Sequence, residues 1–185
     1  MKPLIILTAG HHANDSGATS NIWGNENINA QRLRNTIAFY LKKHDIDVFY
    51  DLDAWTLSQV IWRAKRAARG RKHVLAIDIH FNSFHLPRAN GTEVIVDNNA
   101  SEEVRAMGAE LSLMTATTLG IHDRGVKDER QSHHSNLGYL DITPFSFVDE
   151  VCFLSNDEDM RALESKYWLW CKQRAEYLID WYYKH

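Results

Sequence analysis

Two uninterrupted apolar runs, Leu4-Ile5-Ile6-Leu7 and Val74-Leu75-Ala76-Ile77, constrain this chain more than any other feature. A strand whose alternate side chains are all apolar has no face to offer water, so helices must cover both sides of its sheet. The first run stops at Ala9-Gly10, where a loop of Gly, His, Asn, Asp and Ser extends to residue 25. Ala30, Leu33, Ile37 and Leu41 then recur at helical spacing, ending near Lys42-Lys43-His44, cations suited to a helix C-terminus. Residues 46–50 read as a second strand. Residues 57–69 read as a helix with Leu57, Val60, Ile61 and Ala64 on its apolar face and Gly70 closing it. The third strand, from Val74 to Ile79, follows. Strand, helix, strand, helix, strand predicts an α/β fold: a mainly parallel twisted sheet flanked by helices on both faces.

The second half reads less evenly. Thr92 to Val96 is β-rich, and Ser101 with Glu102 and Glu103 opens a helix whose stripe is Val104, Met107, Leu111 and Met114. Residues 137–142 and 147–153 are the last strand candidates, separated by Pro144. Trp168, Cys171, Ala175, Leu178 and Tyr182 mark a terminal helix. No linker, repeat or low-complexity tract interrupts the 185 residues, so residues 1–185 are expected to form one domain. A chain of that length buries roughly 70% of its unfolded surface without metal or disulfide staples, so a bound metal would serve function.

Composition narrows the partners. Lys and Arg total 21 against 24 Asp and Glu, a net charge of -3, and no basic block is long enough to track a phosphate backbone. Arg63, Lys65, Arg66, Arg69, Arg71 and Lys72 form one cationic cluster, which reads as a solvated helix face. Nucleic acid and membrane are not expected partners, and a monomer is. Two cysteines, Cys152 and Cys171, do not make a disulfide framework. The apolar stretch after Met1 is too short for a signal peptide, so the chain is expected to be cytoplasmic as synthesised.

Ligands of open α/β sheets gather beyond the carboxyl ends of the strands. His11 follows the first strand and His80 closes the third. Alone, either reads as structural; two at matching strand ends point into one crevice if the strands are neighbours. Glu26 stands where the polar loop enters the first helix, where an acid also complements the helix dipole. Glu150 lies among Phe147, Val148, Val151 and Phe153, a costly place for a carboxylate without a cation or a duty. Two imidazoles and a carboxylate make the usual shell of a catalytic zinc ion, and a second carboxylate would carry the proton that a departing amine needs. No Gly-x-Ser-x-Gly elbow occurs, and Cys152 lacks a base evident in the sequence, so serine and cysteine nucleophiles are disfavoured.

These motifs resemble those of the zinc-dependent N-acetylmuramoyl-L-alanine amidases, amidase type 3. The family's Gly-His-Gly-Gly-x-Asp-x-Gly-Ala loop is similar to Gly10-His11-His12-Ala13-Asn14-Asp15-Ser16-Gly17-Ala18. Its Glu entering the first long helix resembles Gly24-Asn25-Glu26-Asn27, and its Ser-Ile-His-x-Asn strand end resembles Asp78-Ile79-His80-Phe81-Asn82. Its late Pro-x-x-Leu-x-Glu-x-Gly-Phe-Leu-Ser-Asn segment looks like the stretch from Pro144 through Glu150 to Asn156. Gly91-Thr92-Glu93-Val94 and Asp123-Arg124-Gly125-Val126-Lys127 add weaker agreement.

The resemblance implies one Zn2+ held by His11, Glu26 and His80, with Glu150 as the catalytic acid and base. It implies hydrolysis of the amide between N-acetylmuramic acid and the L-alanine of the peptidoglycan stem peptide, in a phage endolysin that reaches the cell wall after release. A zinc endopeptidase or carboxypeptidase acting within the stem peptide, or a non-catalytic wall-binding module, are the alternatives. The chain departs from the family at His12 and Cys152, which stand for glycines, and at Asp78, which stands for serine. Asp78 shares a strand face with His80 and is expected to orient a nearby ligand. His133 and His134, in a polar loop that could cover the crevice, and His85 are read as surface residues.

Overall fold

All six residues of Leu4–Ala9 are buried, as a strand covered on both faces requires. The computed structural model describes residues 1–86, 88–132 and 136–185. In chain order it contains β1 (Leu4–Ala9), β2 (Thr19–Ser20), β3 (Gly24–Asn25), α1 (Glu26–Leu41), β4 (Val48–Tyr50), α2 (Leu57–Ala68) and β5 (Val74–Asn82). Then come β6 (Thr92–Val96), α3 (Glu102–Leu119), β7 (Asp123–Asp128), a 3-10 turn at Glu129–Gln131, β8 (Phe145–Phe153) and α4 (Asp157–Lys184). The main sheet has six strands in the order β4-β1-β5-β8-β6-β7, and β2 and β3 form a small separate ribbon. β4, β1, β5 and β8 are mutually parallel; β6 runs antiparallel to β8, and β7 is parallel to β6. The fold is the expected mainly parallel sheet with helices on both faces.

The two faces are covered unequally. Ile5, Leu7, Ile77 and Ile79 point to one side, where they share a core with Leu33 and Ile37 of α1, Leu111 of α3, and Trp170 and Leu178 of α4. Leu4, Ile6, Ala76 and Val148 point to the other, where Val60 and Ala64 of α2 meet them together with Tyr139, Leu140 and Ile142. Three helices therefore close one face, while a single 12-residue helix and a turn close part of the other. α2 is fixed at its start by Thr56 and Gln59, each side chain accepting the other's backbone N–H. Among the described residues no helix is long and apolar enough to cross a membrane.

Residues 137–142 are not the expected strand. Leu140 N–H donates to Leu137 O at 2.8 Å and Ile142 N–H to Tyr139 O at 3.2 Å, so turn bonds satisfy the backbone locally and the apolar side chains plug the α2 face. β7 went unread because Val126 is its one large apolar residue and it lies at the sheet edge. The terminal helix starts at Asp157, capped by Asn156 Oδ1 accepting from Glu158 N–H and Asp159 N–H at 3.0 Å each. A kink at Lys166 breaks its apolar stripe.

Candidate metal centre

β1 and β5 pair in register, Thr8 opposite Asp78 and Ala9 opposite Ile79, so the chain leaves β1 where His80 emerges from β5. β8 continues the sheet with Glu150 opposite His80. The two-residue period of a strand then puts Thr8, Asp78, His80 and Glu150 on the α2 face. His11 turns back over this edge with φ at +65°, among the described residues the one left-handed position that is not glycine. Gly10 permits the approach: a Cβ there would lie 2.4–2.5 Å from three atoms of the His80 ring. Glu26 enters from the first residue of α1.

These three side chains converge. One donor atom each from His11, Glu26 and His80 lies within 4.8 Å of the other two. Glu26 Oε2 is 3.1 Å from His11 Nε2, and Oε1 is 3.1 Å from His80 Nδ1. Each oxygen also accepts a backbone N–H at 2.9 Å, Oε2 from Ala18 and Oε1 from Phe81, so the carboxylate cannot swing away. Both rings are held from behind: His11 Nδ1 lies 2.9 Å from Asp15 Oδ2, and His80 Nε2 lies 3.1 Å from Asp78 Oδ2. Carboxylates that grip the outer nitrogen fix a ring's orientation and tautomer and raise its basicity toward a metal. Asp78, expected to orient a nearby ligand, contacts the ring of His80.

The electrostatics also suit a cation. Hydrogen bonding to Glu26 raises the pKa of His11. Burial disfavours charge on His80, but Asp78 and Glu26 outweigh it and lift that ring well above the usual imidazole value. Burial likewise works against charge on Glu26, yet the two histidines hold its carboxyl well below the ordinary range. The carboxylates thus stabilise positive charge at the point where the three donors meet. Two imidazole nitrogens and a carboxylate fit a borderline-soft divalent ion such as Zn2+, with a position left open.

A cleft of about 780 Å³ opens over the centre and includes Glu150 in its wall. Glu150 Oε2 is buried without a hydrogen-bond partner, and burial pushes the carboxyl up to about 8 against the opposing pull of His80. Sequence reasoning did not foresee a cluster beside it. Glu93 faces Glu150 across the antiparallel pair. Its Oε1 accepts from Asn82 Nδ2 at 2.9 Å, while its Oε2 pairs with Arg124 Nε at 2.5 Å and with Lys127. A carboxylate inside the apolar segment from Thr92 to Val96 was the available signal. Behind His80, Tyr139 Oη and Thr8 Oγ1 lie 2.9 Å apart, and Thr8 Oγ1 donates to Asp78 Oδ1 at 2.7 Å. This chain ties the support of the His80 ring to the turn at residues 137–142.

The other candidates fall away from the centre. Cys152 is fully buried in the helix-covered core, 3.6 Å from Met160 Sδ, and burial raises its thiol well above the normal value. His12 lines the cleft but is outside the converging set. His133 and His134 lie outside the described residues. Of the terminal aromatics, Trp170, Trp181 and Tyr182 are core residues, while Trp168 and Tyr183 are exposed.

Comparison with known proteins bears on this centre. Residues 5–176 match the family model described as N-acetylmuramoyl-L-alanine amidase. A comparison with curated protein sequences finds no match. Among solved structures, a protein from Neisseria meningitidis described as an N-acetylmuramoyl-L-alanine amidase is 26% identical, with a TM-score of 0.74 over 94% of this chain and 92% of that one. The N-acetylmuramoyl-L-alanine amidase AmiC2 of Nostoc punctiforme is 22% identical, with a TM-score of 0.71 over 100% and 97% of the two chains. The catalytic domain of the CD27L endolysin, which targets Clostridia difficile, is 18% identical, with a TM-score of 0.71 over 98% and 97%.

Proposed function

The chain belongs to the N-acetylmuramoyl-L-alanine amidase family, and from that membership and the geometry of the cleft we propose that it hydrolyses the amide between N-acetylmuramic acid and the L-alanine of the stem peptide. His11 Nε2, Glu26 and His80 Nδ1 would hold one Zn2+, which when bound supplies Lewis acidity toward a carbonyl oxygen and acidifies water. Asp15 and Asp78 keep the two imidazoles aimed inward. Glu150 takes a proton from the attacking water and returns it to the nitrogen as the C–N bond breaks, leaving a lactyl carboxylate and a free L-alanine amine.

The observation that carries this reading is the state of Glu150. Its buried Oε2 has no partner, its pKa is raised to about 8, and it shares a sheet face and a register position with His80. A buried carboxyl in that position, with no hydrogen-bond partner of its own, can take up a proton and give it back. Glu93, already satisfied by Asn82, Arg124 and Lys127, is less suited to that task.

The same reading takes the chain as a single catalytic domain that serves phage lysis. Product analysis tests the chemistry. Disaccharide–peptide fragments incubated with the zinc-loaded protein should yield intact disaccharide and a peptide with a free L-alanine N-terminus by mass spectrometry. Cleavage inside the peptide would make the chain a peptidase, and intact fragments would leave it a binding module. For the lysis role, production inside a bacterium should cause lysis only when the inner membrane is permeabilised; no lysis on permeabilisation would remove that role.

A further inference from the structure

Between Asp53 and Asp78 the chain has no acidic residue, yet that stretch contains Arg63, Lys65, Arg66, Arg69, Arg71 and Lys72. The rest of the molecule sets 15 cations against 24 acids, so positive charge is segregated onto α2 and the turn after it. Of the six, Arg71 has an acidic partner among the described residues, Asp47 at 2.6 Å; Arg63, Lys65, Arg66, Arg69 and Lys72 are exposed. Trp62, Lys65, Arg66 and Arg69 stand at i, i+3, i+4 and i+7, on one face of the helix.

Aromatic rings organise these cations. The Arg63 guanidinium lies 4.3 Å from the centroid of Trp55, and that of Arg66 lies 4.8 Å from the centroid of Trp62, whose side is 55% exposed. Stacking of this kind holds flexible arginines in place without neutralising them. The opposite side of α2, Val60 and Ala64, is packed into the sheet. Leu57 in its first turn lines the cleft; the charged face from Trp62 to Arg69 begins about 8 Å further along the helix and runs for about 10 Å.

We propose that the exposed Trp62–Arg66–Arg69 face of α2 is a docking track for the anionic peptidoglycan mesh outside the cleft, holding neighbouring stem peptides while one amide is cut. The proposal rests on the amidase reading. Stem peptides carry free carboxylates and glycan strands carry sugar faces, which match guanidinium forks and an exposed indole. A bilayer is a poor match, because the apolar side of this helix is already buried in the protein and cannot insert.

The test separates docking from cutting. Insoluble sacculi are sedimented with the full chain carrying Glu150→Gln, which keeps the wall intact, alone and with Lys65→Ala, Arg66→Ala and Arg69→Ala added together. Alanine is the best helix former, so α2 persists. The three replacements should weaken binding about tenfold, as expected for several cooperating surface charges. Binding of the parent should also fall as salt rises from about 0.1 M to about 1 M, where the screening length shrinks from about 10 Å to about 3 Å. Arg66→Lys with Arg69→Lys should retain most of it. In the Glu150 background of the natural chain, turnover of small soluble disaccharide–peptide fragments should be unchanged by the alanine replacements. Equal sedimentation of the two chains overturns the proposal, as does a matching loss of fragment turnover. So does a binding loss seen with phosphatidylglycerol vesicles but not with sacculi. Failure of the natural chain to cut fragments would instead sink the amidase reading, whatever the sedimentation shows.

Discussion

Asp149 and Glu150 are adjacent on β8, and the pleat sends their carboxyls to opposite faces of the sheet. Asp149 enters the side closed by three helices. It is 0% exposed and meets Arg174 of α4, also 0% exposed, at 2.8 Å. Arg174 donates in turn to Thr115 Oγ1 of α3 at 2.8 Å and lies over the Trp170 ring. Glu150 enters the side closed by one short helix, where it has no ion-pair partner among the described residues and the cleft begins. The lesson is that a carboxylate becomes structural or chemical according to what the opposite layer supplies. Where helices complete the cover, the charge is paired within the fold; where they stop short, it lines the cleft.

Replacing the two neighbours should therefore damage different things. Glu150→Gln should lower amide hydrolysis by about 10²- to 10⁴-fold, the usual worth of a positioned acid and base, while leaving the melting temperature near that of the natural chain. Release of L-alanine amine alongside a thermal melt checks both. Asp149→Ala should cost about 3–5 kcal/mol of stability, because it leaves the Arg174 charge buried and unpaired. Asp149→Leu combined with Arg174→Met should recover most of that loss. If denaturant unfolding shows the single and double variants equally damaged, the ion pair is not what makes that face structural.

Finer probes sharpen the contrast on the open face. Asp78→Asn should weaken metal binding about 10- to 100-fold, the usual effect of losing a carboxylate behind a histidine ligand; a competition titration with a chromophoric chelator reads it. The pH dependence of the metal-free protein is a smaller effect with a definite sign. Glu150 keeps its proton up to about pH 8 when folded, against a usual value of 4.5, so between these values the folded state holds a proton that the unfolded chain has released. Its contribution to stability is present below that window and is lost as pH rises through it, by at most about 1.4 kcal/mol per unit. The raised pKa values of His11 and His80 act in the same direction. Glu150→Gln should flatten the slope of unfolding free energy against pH, and an unchanged slope would place the titration elsewhere.

The sequence made the parallel half of this molecule legible because buried strands there are plain apolar runs. His11 and His80 stood out because each closes such a run, and Glu150 because a charge among Val and Phe needs a reason. The antiparallel half was harder. β7 has little apolar content, and the apolar residues at 137–142 fill a face without joining a ladder. Glu93, Arg124 and Lys127 come from separated segments, and a pairing made by strand register leaves no local spacing to read. Asp149 was passed over for a similar reason: its partner lies 25 positions further on, on a helix whose stripe is broken by the kink at Lys166.

The central claim is that His11, Glu26 and His80 act as one ligand set on the open face. Zinc titration of the metal-free chain, with His11→Ala, Glu26→Ala and His80→Ala made singly, tests it most directly. The natural chain should bind one ion per molecule at this centre, and each replacement should abolish or severely weaken that binding. Undiminished affinity in any one of the three variants would contradict the account.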